Sequence, residues 1–256
     1  MIRSLVIVVG LLLMGESSLA LGEPQGDIEK LEKAARLSPK NPEVWIDLGN
    51  FLLDKEAYGE AEKAFKRALR NKKSSAAHNG LGLAYLGQDK KRRRALVEFR
   101  KARSRDRDNI ETQMNLARAH ILMGNQDAEK ELKRAIKMDP RHAPALLALA
   151  EWYRDQGRSE EMLGAYRSYV AANPDDVEGQ IGLALSYTEQ KQYALVLALG
   201  GEMWQVRKDV RFLALLAQAY AARGEPDMAL ESDTSGKAGG LNSREPLKAV
   251  ETLGAT

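Results

Sequence analysis

PEVWIDLGNFLLDKEAYGEAEKAFKRALRNKK, residues Pro42 to Lys73, carries two apolar stripes with a polar break between them. Trp45, Leu48, Gly49 and Leu52 form the first stripe, and Ala61, Phe65 and Ala68 form the second. Steps of three and four residues put each set on one helical face. The stretch therefore reads as two amphipathic helices joined by a turn near Lys55–Tyr58. One such pair cannot bury its apolar faces alone, so it needs stacked neighbours. The sequence supplies them. Leu48, Leu81, Leu116, Leu149, Leu183 and Leu216 stand 33, 35, 33, 34 and 33 residues apart. The residue after each is Gly or Ala, small enough to let another helix approach. Four residues after each leucine comes Leu52, Tyr85, His120, Tyr153, Tyr187 or Tyr220 on the same face.

The pattern Trp45…Leu48-Gly49…Ala61…Phe65…Ala68 resembles the tetratricopeptide repeat (TPR). Later units keep parts of it: Ala95, Phe99 and Ala102, then Ala128, Leu132 and Ala135, then Tyr166. The fifth unit has Gly200 where an aromatic belongs. The resemblance implies an all-α fold, a right-handed superhelical solenoid of antiparallel helix pairs. About six repeats are expected across residues 41–232, each with a helix A, a turn and a helix B. Residues 24–40 read as a leading half repeat that caps the stack. Pro39, Pro140 and Pro174 fall where helices should stop. Pro42, Pro144 and Pro226 fall at helix starts, where a missing N–H costs little.

The ends read differently. Arg3, the uncharged run Leu5–Met14 and the small residues around Ala20 have the form of a secretory signal over residues 1–22. The run is shorter than the ~20 residues that span a bilayer. Cleavage is expected, leaving a periplasmic or secreted chain with no stable membrane insertion; an uncleaved anchor is the alternative. Residues 233–256 contain Gly236, Gly239 and Gly240 and read as a flexible tail. No cysteine is present, which excludes disulfides, thiolate metal sites and thiol nucleophiles.

Chemistry is sparse. His78, His120 and His142 lie in different units without metal-ligand spacing, and no phosphate loop, nucleophile elbow or HExxH occurs. His120 takes the position of a packed tyrosine. The expectation is a non-catalytic protein with no cofactor and no metal site, acting as an interaction scaffold or adaptor in the cell envelope. In the TPR pattern, helices A line the concave face. Ile46, Asn79, Met114, Leu147 and Ile181 share one groove position, with Ala214 in the last unit. Asn50, Leu83, Arg118, Glu151 and Leu185 share the next, with Gln218. The groove mixes apolar and polar groups suited to a peptide or an amphipathic helix. The Lys/Asn/Arg set by which some TPR proteins hold a terminal carboxylate would fall at Ile46, Asn50, Gly80, Glu111 and Asn115. Only Asn50 matches, so that clamp is absent. A second candidate is basic. Residues 89–108 hold ten Lys/Arg against four acids, with Lys90, Lys91, Arg92, Arg93 and Arg94 consecutive. This stretch suits an anionic surface or an acidic partner; nucleic acid is not expected of an exported chain. A further alternative makes the chain the non-catalytic front part of a larger enzyme.

Overall fold

The computed structural model describes residues 24–207 and 210–225. The signal expected at 1–22, the tail expected at 233–256, and Pro226 lie outside the described residues. Within them the chain forms twelve α-helices and no strand. A leading helix α1 (Pro24–Leu37) precedes five complete pairs: α2 (Pro42–Asp54) with α3 (Tyr58–Asn71), α4 (Ser75–Leu86) with α5 (Arg92–Arg105), α6 (Ile110–Leu122) with α7 (Asp127–Met138), α8 (Ala143–Asp155) with α9 (Ser159–Ala172), and α10 (Val177–Glu189) with α11 (Tyr193–Arg207). Helix α12 (Val210–Ala222) is the sixth helix A.

The two kinds of connection use different local chemistry. Every helix A from α2 to α10 has a side-chain N-cap: Asn41, Ser74, Asn109, His142 and Asp176 each accept a hydrogen bond from a first-turn backbone N–H. Such a cap satisfies a donor that the helix cannot. Helices α3, α5, α7 and α9 have no side-chain cap. Before α3, α7, α9 and α11 the turn instead contains a residue at positive φ, Glu56, Gly124, Gly157 and Lys191 in order, with Gly224 after α12. The second unit departs from this. Its turn is one residue longer and winds as a 3₁₀ segment over Asp89–Lys91.

Each helix packs on the next along the chain, and helices A also meet the following helix A at α2/α4, α4/α6 and α10/α12. No comparable contact joins successive helices B among the described residues. A stack held more closely along one side curves toward it, so helices A line the inner, concave face. The leading helix is tied to the first pair: Trp45 Nε1 and Asn71 Nδ2 both donate to the Pro39 carbonyl, at 2.9 and 2.8 Å.

The core explains the small residues of the repeat. Phe65 and Phe99 are fully buried. Phe65 lies in a slot between Gly49 of its own unit and Gly80 of the next, and a Cβ on either glycine would overlap the ring. Phe99 presses on Gly82, and Tyr166 on Gly182, in the same way. Where the third unit has the smaller Leu132, the matching positions are Ala117 and Ala148. At Gly200 the relation reverses, and Leu216 of the next unit fills the space that an aromatic would take. The missing aromatic of the fifth unit is a complementary exchange of volumes.

Candidate functional site

The side chains that the sequence assigns to the inner face differ in exposure. Met114, Leu83, Leu147, Glu151 and Ile181 are half-buried; Asn50, Arg118, Leu185, Ala214 and Gln218 are exposed. Leu185 is 40% exposed, one of few large apolar side chains left so open. Two expected groove residues are corrected. Ile46 is buried, in the same apolar cluster as Ala35, Ile28 and Leu31 of the leading helix. Asn79 is buried because it ties units together: its Nδ2 donates to Glu111 Oε1 at 3.0 Å, and its Oδ1 accepts from Asn115 Nδ2 at 3.1 Å. Glu111 and Asn115, two positions of the missing clamp, are thereby engaged within the protein.

The remaining inner surface centres on α6, α8 and α10. Here the A–A approach is looser than at α2/α4, α4/α6 or α10/α12. Met114, Leu147 and Ile181 form an apolar row beside a second row of Arg118, Glu151 and Leu185 one turn on. Among the described residues, Arg118 makes no ion pair or hydrogen bond. Glu151 has only Arg154, at 4.0 Å. Burial raises the Glu151 carboxyl above its usual range, with Arg154 only partly opposing it. An under-solvated carboxylate without a close donor is an open valence for a cationic or hydrogen-bonding partner.

The basic stretch divides into used and unused charges. Lys91 is bound to Glu62 at 2.7 Å, and Arg92 to Asp89 at 2.7 Å and to the Leu122 carbonyl at 3.2 Å. These two are corrections to the expectation of a uniformly free patch, because they join neighbouring elements. Lys90, Arg93 and Arg94 are exposed and make no ion pair among the described residues.

Buried polar networks are what the sequence did not reveal. Glu62 accepts from Lys66 (2.6 Å), Lys91 (2.7 Å) and Gln88 (3.1 Å), and both lysines lie over the Tyr85 ring. Two units later the arrangement returns. Glu129 accepts from Lys133 (2.7 Å), Arg158 (2.6 Å) and the Tyr153 hydroxyl (2.9 Å), with both cations over the Tyr153 ring. Burial would raise the Glu62 carboxyl, but the Lys66, Lys91 and Gln88 hydrogen bonds outweigh it and hold it at about 2. Glu129 is also lowered to about 2, first by Lys133, against burial, and then by Arg158 and Tyr153.

A second set replaces the tryptophan of the first unit. At the positions equivalent to Trp45, His78 Nδ1 meets Glu98 at 2.7 Å, and Gln113 donates to Glu131 at 2.7 Å. Burial, opposed by Glu98, pushes the His78 pKa below its ordinary 6.5. The ring is therefore neutral at pH 7 and donates through Nδ1. His78 and Glu98 thus converge as an acid–base pair. They do so inside the α4/α5 contact. His120 is buried as a packed side chain, and His142 is an N-cap. Among the described residues, no group of three or more His, Asp or Glu is placed to hold a metal ion. No described helix is long and apolar enough to cross a membrane. An open cleft lined by Arg167, Lys191, Tyr193 and Arg223 lies at the turn edge, away from the inner surface.

Stacked antiparallel helix pairs with an inner face of A helices define an all-α helical-repeat solenoid. The tetratricopeptide repeat family matches the chain over residues 18–83 and again over residues 124–177. The chain thus carries tetratricopeptide repeats in both segments. Its fold is similar to that of PilW, a widely conserved type IV pilus biogenesis factor (19% identity, 90% of this chain and 91% of that one, TM-score 0.57). A tetratricopeptide repeat protein from Parabacteroides merdae is equally similar (19% identity, 92% and 93% covered, TM-score 0.57). YrrB, a TPR protein with an unusual peptide-binding site, shares 17% identity over 80% of this chain and 98% of that one, with a TM-score of 0.53. In sequence, the chain is 27% identical over 168 residues to the human protein O-mannosyl-transferase TMTC3. That match takes in 62% of this chain and 18% of the human protein's length.

Proposed function

We propose that this protein is a non-catalytic interaction scaffold of the cell envelope that holds a peptide or an amphipathic helix against its inner face at α6, α8 and α10. One observation carries the reading: partly exposed Met114, Leu147 and Ile181 form an apolar row across three helices, beside a second row of Arg118, Glu151 and the exposed Leu185. An amphipathic segment matches such a row through anchors spaced along one side. The peptide-binding site named for YrrB is consistent with it, on a different chain.

The test compares capture of envelope partners by the wild-type chain and by Leu147→Glu/Leu185→Glu. Leu185 is exposed and Leu147 half-buried, and a native circular dichroism spectrum verifies that the variant folds. Captured partners should be lost, because the variant sets a carboxylate against an apolar contact. Unchanged capture by the folded variant would reject the inner face. The envelope assignment rests on the residues 1–22 pattern and requires a mature amino terminus at Leu21 or Glu23. Terminal sequencing that returned Met1 would make the segment an anchor.

The similarity to TMTC3 favours a second reading, in which these repeats are the non-catalytic part of a larger transferase. A reading frame continuing past Thr256 into a catalytic segment would support it over the first.

A further inference from the structure

The outer faces of α3, α5 and α7 carry a charge that the fold does not use. Lys63 and Arg70 on α3, Arg93, Arg94 and Arg100 on α5, and Lys130 and Lys137 on α7 are all exposed. None makes an ion pair or hydrogen bond among the described residues. Exposed carboxylates on these three helices are limited to Glu60 and Asp127, in the first turns of α3 and α7, while the others are engaged between helices. Glu62, Glu98, Glu129 and Glu131 are each tied to cations in the networks between helices. Helix α5 exposes no acid at all. Helix α9 is more acidic at its start, with both Glu160 and Glu161 exposed in the first turn. In its middle lies Val97, an apolar side chain 49% exposed, with Arg93, Arg94, Arg100 and Lys101 three and four residues away on the same helix.

We propose that this outer face docks on an anionic phospholipid surface. Charge complementarity supplies the attraction. The form of the patch selects the occupant: its cations are spread over three helices and converge on no pocket, which suits a mobile two-dimensional array of headgroups. An apolar residue ringed by cations is the arrangement by which side chains enter a headgroup layer while their charges stay at phosphate level. This face is separate from the inner strip, so the two assignments stand or fall independently.

The experiment is flotation of the full chain with vesicles of phosphatidylcholine alone and with about 30% phosphatidylglycerol. Residues 5–14, where retained, partition into both vesicle types alike, so the readout is the difference between them. Binding should favour the anionic vesicles. It should fall sharply as salt rises from about 0.1 to about 1 M, where the screening length drops from ~10 to ~3 Å. Arg93→Gln/Arg94→Gln/Arg100→Gln should weaken it about 100-fold, at roughly fivefold per basic residue. Val97→Asp should weaken it further, while Leu147→Glu/Leu185→Glu should leave it unchanged. Arg93, Arg94, Val97, Arg100 and Leu185 are exposed and Leu147 is half-buried, and matching thermal melts verify folding. Equal partition into both vesicle types, or a triple variant that binds as the wild type does, overturns the proposal. Tighter binding to polyglutamate than to vesicles of equal charge also overturns it and assigns the face to an acidic polymer.

Discussion

Glu62 and Glu129 are carboxylates that the fold requires to stay charged. Each is lowered from an ordinary 4.5 to about 2. A depressed carboxylate contributes stability that is complete above its unfolded value and is lost as pH falls toward its folded value. His78 and His120 act in the same direction but earlier, because burial lowers both from 6.5 and folding favours the neutral ring. Stability should therefore decline in two stages on acidification, first below about pH 6.5 and then steeply between about 4.5 and 2. Urea titrations from pH 7.5 to 2.5 should resolve both. Glu62→Gln should cost about 1.5–3 kcal/mol at pH 7, the range for hydrogen bonds to charged groups, and should flatten the second stage. A variant with an unchanged acid limb would show that Glu62 is not the group responsible. These networks were not legible in the sequence. Glu62 and Lys91 are 29 residues apart and meet only after the second unit stacks on the first. His78 and Glu98 each look like ordinary surface residues until the α4/α5 pairing places both inside.

At the scale of single helices, the sequence was far more informative. Starts and stops follow from Asn41-Pro42, from Pro140, and from the Gly at the turns, because caps and φ restrictions are local. His142 escaped this reading, since histidine is not among the favoured capping residues, although its Nδ1 accepts from the Ala145 N–H at 3.2 Å. The turns offer a direct test. Gly124 and Gly157 adopt positive φ freely, whereas Glu56 (φ 56°) and Lys191 (φ 58°) hold the same conformation against their own Cβ atoms. Left-handed geometry costs a residue with a side chain roughly 1–2 kcal/mol, and glycine returns part of that through its freer unfolded chain. Glu56→Gly and Lys191→Gly should each raise stability by up to about 1 kcal/mol, read as a higher melting temperature. A fall would mean that the side chains contribute more than their turns cost.

For the whole molecule, the periodic leucines and their small successors specified the solenoid before any contact was known, because a 34-residue period leaves few other ways to bury short amphipathic helices. The candidate surfaces were less legible. The inner positions follow from the repeat, but the burial of Ile46 and Asn79 depends on what the adjoining helices bring to them. The seating of rings against glycines has a further consequence. Phe65 needs Gly80 ahead of it, Leu132 faces Ala148, and Tyr166 needs Gly182, so each junction has its own lock and key. Excising residues 143–176 would join two chemically similar seams and keep the chain in phase. It would also bring Leu132 against Gly182, a small key in a wide lock, and leave a hollow where Tyr166 had been. The units look alike, yet their order is fixed: the array can be shortened only where the ring of one unit finds the glycine of another.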